Sequence, residues 1–114
     1  MLRIVEEGNR KIAILKLIGD PLGEPDAKIL CNKIHELEKD AIRHVILDMS
    51  CVKHINSAGL GGLVATMFTM LKANGDVRFA CIGNNVRNIF NITRLNEIFV
   101  TDKSVEAALE NYRL

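Results

Sequence analysis

The stretch His44-Val45-Ile46-Leu47-Asp48-Met49-Ser50-Cys51-Val52-Lys53-His54-Ile55-Asn56-Ser57-Ala58-Gly59-Leu60-Gly61-Gly62 decides how the chain folds. Its first six residues form a short, nearly continuous apolar run rather than an alternating one. That is the pattern of a strand buried on both faces, as in parallel sheets covered by helices on both sides. A loop follows, and a helix is predicted from Ala58 to Ala73. Its core face would carry Leu60, Leu63, Val64, Met67 and Leu71, with Asn74-Gly75 as the C-terminal stop.

Working outward, Lys11 to Ile18 is rich in aliphatic and β-branched residues and ends at Gly19-Asp20-Pro21, a strand closed by turn residues. Met1 to Glu6 can pair with it through a hairpin turn at Glu7-Gly8-Asn9. Pro25 suits the first position of a helix, where its missing N–H would have had no partner. Leu30, Ile34, Leu37 and Ala41 then line one face of that helix. Beyond the central segment, a strand is predicted at Val77 to Ile82, and a helix at Asn85 to Thr93 burying Val86, Ile89 and Phe90. A short strand at Ile98 to Thr101 precedes a last helix with Ser104 as N-cap and Val105, Ala108, Leu109 and Tyr112 facing inward. The order ββαβαβαβα is that of an α/β domain with a mixed, mostly parallel sheet of four to five strands and about four helices. In such folds sites gather beyond the carboxyl ends of the strands, which points to Asp48 to Gly62.

With 114 residues, one domain spanning 1–114 is expected. Apolar residues make up 48% and charged residues 25%, the balance of an ordinary globular protein with a packed core. The net charge of +1 arises from 15 basic and 14 acidic residues mixed along the chain, so no nucleic-acid partner is expected. The N-terminus turns charged before any signal-peptide core develops, and no segment approaches the roughly 20 apolar residues of a membrane span. A cytoplasmic location is expected. Cys31, Cys51 and Cys81 are odd in number and set among apolar residues, which fits reduced, mostly buried thiols. His35, His44 and His54 lack metal-ligand spacing, and no metal or cofactor is expected.

Ser57 falls where the N-cap of the second helix is expected. On one reading it only caps, while Gly59, Gly61 and Gly62 permit tight packing of helix on sheet. On the other it faces a partner. Gly61 and Gly62 each weaken a helix by about 1 kcal/mol relative to Ala, which suggests a close approach by another backbone or a partner. Gly61, Ala65, Phe68 and Lys72 form a stripe opposite the expected core face, a docking surface unless a neighbouring helix covers Phe68. A hydroxyl at a helix N-terminus also sits where backbone N–H groups and the helix dipole tolerate a phosphate. Asp48 is read as a polar strand terminus that positions the loop; a receiver-type phosphoacceptor role is not supported, because no acidic pair follows the first strand.

The pattern Asp48-x-Ser50, then Ile55-Asn56-Ser57-Ala58-Gly59-Leu60-Gly61, resembles the anti-sigma factor antagonists of the STAS domain family. Gly19-Asp20, Asn74-Gly75 and Val86 to Phe99 fall where that family has equivalents. The resemblance implies a non-enzymatic bacterial regulator of transcription that works by partner switching. Unphosphorylated, it binds an anti-sigma factor with serine kinase activity, usually of the GHKL type, and so frees the sigma factor. Phosphorylation of the serine matched by Ser57 blocks binding, and a serine phosphatase reverses the block. Asp20, Ser50, Asn56, Ser57, Ala58, Gly59, Gly61, Ala65, Phe68 and Lys72 are the expected partner-binding residues. Two departures stand out: Asn56 occupies a position that is often Asp, and Pro21-Leu22-Gly23-Glu24-Pro25 interrupts the place of a second acidic residue after Gly19-Asp20.

The same fold also serves as a scaffold subunit of stress-sensing assemblies or a soluble subunit of lipid-transport machinery, neither of which requires a serine switch. A gene for a kinase-like anti-sigma factor nearby would favour the first reading, transporter genes the second. Serine hydrolysis is not supported, because a nucleophile elbow needs Gly where Ile55 stands and the histidines all precede Ser57. Gly59-Leu60-Gly61-Gly62 lacks both the Lys-Ser/Thr of a phosphate-binding loop and the last Gly of a dinucleotide fingerprint.

Overall fold

The computed structural model describes residues 2–8, 11–19 and 22–112. The elements run β1 (Arg3–Gly8), β2 (Ile12–Ile18), α1 (Glu24–Lys39), β3 (His44–Cys51), α2 (Ser57–Lys72), β4 (Asp76–Ala80), α3 (Asn84–Ile92), β5 (Val100–Asp102) and α4 (Val105–Asn111), with a 3-10 turn at Leu95–Glu97 before β5. The five strands lie in the order β1-β2-β3-β4-β5, with β1 antiparallel to β2 and the other neighbours parallel. This is the expected mixed, mostly parallel α/β architecture.

Alternation along the strands divides the sheet into two faces of unequal cover. Ala13, Leu15 and Leu17 of β2, Val45, Leu47 and Met49 of β3, and Val77 and Phe79 of β4 enter the main core with Leu30, Ile34 and Leu37 of α1, Leu63, Met67 and Met70 of α2, and Val86 and Phe90 of α3. On the other face Ile46 and Ala80 pack with Ala108 and Tyr112 of α4, bordered by half-buried Ile12, Ile14, Val105 and Leu109. The core run of β3 is continuous because it meets helices on both sides. Phe79 stacks on Phe99 at 4.4 Å between centroids, and Phe90 meets Phe99 edge-on at 5.0 Å, so three rings fix α3 and the approach to β5.

Several expectations shift in the folded chain. The core side of α2 is Gly59, Gly62, Leu63, Thr66, Met67 and Met70, whereas Leu71 is 49% exposed. The helix is turned by roughly 90° from the aliphatic face read in the sequence, because its small residues press on α1: a Cβ on Gly62 would lie 2.8 Å from that of Ala27. Ala41 lies beyond the end of α1, exposed and at φ 64°, not on its buried face. The thiols are not deeply buried: Cys51 is exposed, and Cys31 and Cys81 are half-buried. Asn74 ends α2 in the left-handed region at φ 63°, a role in which Asn is favoured.

The short helix α4 is held by polar contacts as well as by its small apolar face. Arg78 Nε and Nη2 donate to Asp102 Oδ2 and Oδ1 at 2.8 and 3.0 Å, and Asn111 Nδ2 donates to Asp102 Oδ1 at 2.7 Å. The Tyr112 hydroxyl donates to the carbonyl of Val45 at 3.2 Å. Burial raises the Tyr112 phenol above its ordinary pKa, keeping it a donor. The Arg78 guanidinium holds the Asp102 carboxyl below the usual carboxylate range. A depressed carboxylate adds stability above its unfolded pKa of about 3.9, and that stability is lost as pH falls through the folded value. Asp102→Asn should therefore lower stability by about 2 kcal/mol at pH 7, with the gap to wild type narrowing below about pH 4. Denaturant unfolding of both proteins at pH 7 and pH 3 checks this.

Candidate functional site

The loop after β3 is built from backbone bonds and two apolar anchors. β3 carries an irregularity against β2, where Lys16 faces Asp48 but Ile18 faces Cys51. The Asp48 carboxylate takes up this turn by accepting the N–H of Ser50 at 3.0 Å, and Val52 N–H donates to Met49 O at 3.0 Å. Val52 and Ile55 drop into the main core, leaving Ser50, Lys53, His54, Asn56 and Ser57 exposed between and beyond them. Burial, and then the nearby Asp48 carboxylate, push the Cys81 thiol at the end of β4 above its ordinary value, so it is a poor nucleophile.

The β2–α1 connection grips this loop. Leu22 N–H donates to His54 O at 3.0 Å, and Asn56 N–H donates to Leu22 O at 3.2 Å, which pairs Leu22 with Ile55 as a single parallel bridge. The first turn of α2 then presses on the same carbonyl. A Cβ on Gly59 would stand 2.2 Å from Leu22 O, so only glycine fits there.

Asn56, not Ser57, caps α2. Its Oδ1 accepts Gly59 N–H at 3.0 Å, and its carbonyl accepts Leu60 N–H at 2.9 Å. Both residue types cap well, and the extended backbone at Asn56 (φ −99°, ψ −179°) settles the choice. Ser57 is thus the first residue inside the helix, with its side chain exposed and released from capping duty. The N–H groups of Ser57 and Ala58 have no carbonyl within the helix to reach.

At 100° per residue Ser57, Gly61, Ala65, Phe68 and Lys72 fall within one arc of α2, and all five are exposed. Phe68 is 52% exposed, so no neighbouring helix covers it, and Leu71 at 49% widens the apolar part of the stripe. Periodicity alone places Leu71 in the core, because it does not reveal the rotation imposed by Gly62. Of the glycines, Gly59 is buried against Leu22 and Gly62 against Ala27, while a Cβ on Gly61 would meet open space. Within the chain, the close approach expected at Gly61 and Gly62 is made at Gly62 alone, and Gly61 faces outward. Ala58 is half-buried, and Asp20 lies outside the described residues.

Beside the loop, a cavity of 330 Å³ opens at the carboxyl ends of β3 and β4, lined among others by Ser50, Lys53, His54, Asn84 and Asn85. Ser57 does not line it. Among the described residues no group of three His, Cys, Asp or Glu is placed to hold a metal ion, and no helix is long and apolar enough to cross a membrane.

The contacts at the glycines give opposite expectations. Gly59→Ala should cost about 1–3 kcal/mol through overpacking on Leu22, whereas Gly61→Ala should stabilise by about 1 kcal/mol through helix propensity. Chemical denaturation of the two variants beside wild type checks the pair.

A family model described as the STAS domain matches residues 3–108. Among solved structures, the fold matches a Thermotoga maritima protein with a TM-score of 0.87 at 18% identity, over 97% of this chain and 95% of that one. It matches an anti-sigma factor antagonist from Mycobacterium paratuberculosis with a TM-score of 0.85 at 22% identity, over 100% and 96%. It also matches the Bacillus cell fate determinant SpoIIAA, in its phosphorylated form, with a TM-score of 0.75 at 18% identity, over 97% and 100%. Identities this low establish a common fold and leave the function to be argued from the site.

Proposed function

The chain belongs to the STAS domain family, and from that premise we propose that it is an anti-sigma factor antagonist acting by partner switching, with Ser57 as the switch. The whole chain, 1–114, is read as one such domain. The observation that carries the reading is the exposed Ser57 side chain at the head of the exposed stripe Gly61, Ala65, Phe68 and Lys72. In the unphosphorylated form this face docks on an anti-sigma factor with serine kinase activity, and the sigma factor is released. Phe68 is the aromatic anchor, of a residue class enriched in the cores of protein interfaces. No catalytic step is assigned to this chain. Ser57 Oγ receives the γ-phosphoryl group of ATP on the kinase, ADP leaves, and a serine phosphatase restores the hydroxyl.

The switch needs no refolding. A phosphoserine adds nearly two negative charges. At the first position of α2 these lie near N–H groups of the first turn and the positive end of the helix dipole, so the fold tolerates them. An incoming protein must desolvate them, which is a different matter. A mispaired interfacial charge costs about 2–5 kcal/mol, or roughly 30- to 5,000-fold in affinity. Asn56 caps α2 as Asp would but without its charge, so recognition by the kinase here relies on shape and on Ser57 itself.

Incubation with a GHKL-type anti-sigma kinase of the same genome and ATP, followed by mass spectrometry, tests the switch. One phosphate is expected on wild type and none on Ser57→Ala; phosphate retained on Ser57→Ala would move the site elsewhere. In a binding assay with the same kinase, Phe68→Ala should weaken the complex about tenfold or more. An unchanged affinity would remove this face of α2 from the interface.

A further inference from the structure

The connection that grips the Ser57 loop is itself held by a buried carboxylate. Asp26 is only 5% exposed. It is the third residue of α1, and its Oδ2 accepts Gly23 N–H at 2.9 Å while its Oδ1 accepts Leu2 N–H at 2.7 Å. Such bonds to an ionised acceptor are the stronger kind. Gly23 is the N-cap of α1 and has no side chain to cap with, so the carboxylate reaching back from Asp26 is the half of a capping box that remains available.

The geometry points to Asp26 as a positioning residue for the Ser57 hydroxyl, acting through Leu22 and Gly23; this rests on the reading of Ser57 as the modified residue. The backbone N–H and C=O of Leu22 both engage the loop, at His54 and Asn56. The next N–H along the chain, that of Gly23, goes to Asp26. Without that bond an extended glycine, at φ −138° and ψ −155°, would act as a hinge between α1 and the strand-like grip on the loop. Gly23 also backs the cap itself, since a Cβ there would stand 3.0 Å from Asn56 Nδ2. Asp26 therefore ties three things together: Leu2 just before β1, the turn into α1, and the loop that presents Ser57.

Residue-resolved hydrogen exchange on the full chain tests the coupling without any partner. In Asp26→Ala the amides of Leu22 and Asn56 should exchange about tenfold faster or more, beyond any change shared with the amides of β4, which report global opening. Asp26→Asn keeps one acceptor oxygen and should show a smaller but still selective effect, about threefold, which decides the matter if the alanine variant does not fold. Glu24→Ala removes the same charge from the same turn at an exposed position and should leave Leu22 and Asn56 moving with β4. Where Ser57 is a kinase substrate, Asp26→Ala should raise KM about tenfold with kcat little changed, and Glu24→Ala should change neither. Leu22 and Asn56 moving no more than β4 in the Asp26 variants would overturn the inference, as would an unaltered KM. Selective loosening in a chain whose Ser57 takes no phosphate would instead remove the modification and leave the coupling standing.

Discussion

The interlock between Leu22 and the loop that enters α2 is the constraint on which the candidate site depends. One residue supplies both hydrogen bonds, to His54 and from Asn56, and receives the first turn of the helix against its carbonyl. Gly59 makes this approach possible because it has no Cβ, and the buried side chains of Val52 and Ile55 fix the loop from below. The consequence is a helix that begins at a defined residue with a defined roll. Ser57 then stands outside, at the head of a stripe of exposed residues, rather than inside as a cap.

The roll of α2 follows from where its small residues lie. Gly59 and Gly62 allow α2 to approach Leu22 and Ala27, and Thr66 is buried on the same side with its hydroxyl bonded back to Gly62 O at 2.9 Å. Turning these residues inward turns Phe68 and Leu71 outward, against their hydropathy. Exposed aromatic and aliphatic side chains beside glycine and alanine make a surface that is shallow, partly apolar and low in charge until Lys72. A doubly charged ester at one end of it would be compatible with the fold and incompatible with a dry contact. The opposite face of the sheet is separately secured by α4, the Arg78–Asp102 pair and Tyr112.

Much of this was legible in the sequence. The apolar run of β3, the helical spacing of Leu30, Ile34 and Leu37, Pro25 at the start of α1, Asn74-Gly75 at the end of α2 and Ser104 as the cap of α4 all act locally, and local chemistry decides them. What was not legible depended on tertiary approach. Asn56 and Ser57 are adjacent and equally able to cap, so only the path of the backbone separates them. Leu71 looks like core by periodicity and is exposed because Gly62 meets Ala27 across two helices. The role of Asp26 is of this second kind. An acidic residue three positions after Gly23 was the available signal, but its partner Leu2 lies 24 residues away and nothing in the spacing announces it. The short β5 came late and begins at Val100, since a 3-10 turn at Leu95–Glu97 occupies the residues just before it.

Charge at the head of α2 is what controls docking in this reading. The direct measurement is calorimetric titration of the anti-sigma kinase with this protein in two forms, unmodified and stoichiometrically phosphorylated, with circular dichroism to establish that the two share one fold. A Kd raised by about 30-fold or more in the phosphorylated form, with unchanged spectra, is the result the account predicts. Equal Kd values for the two forms would contradict it.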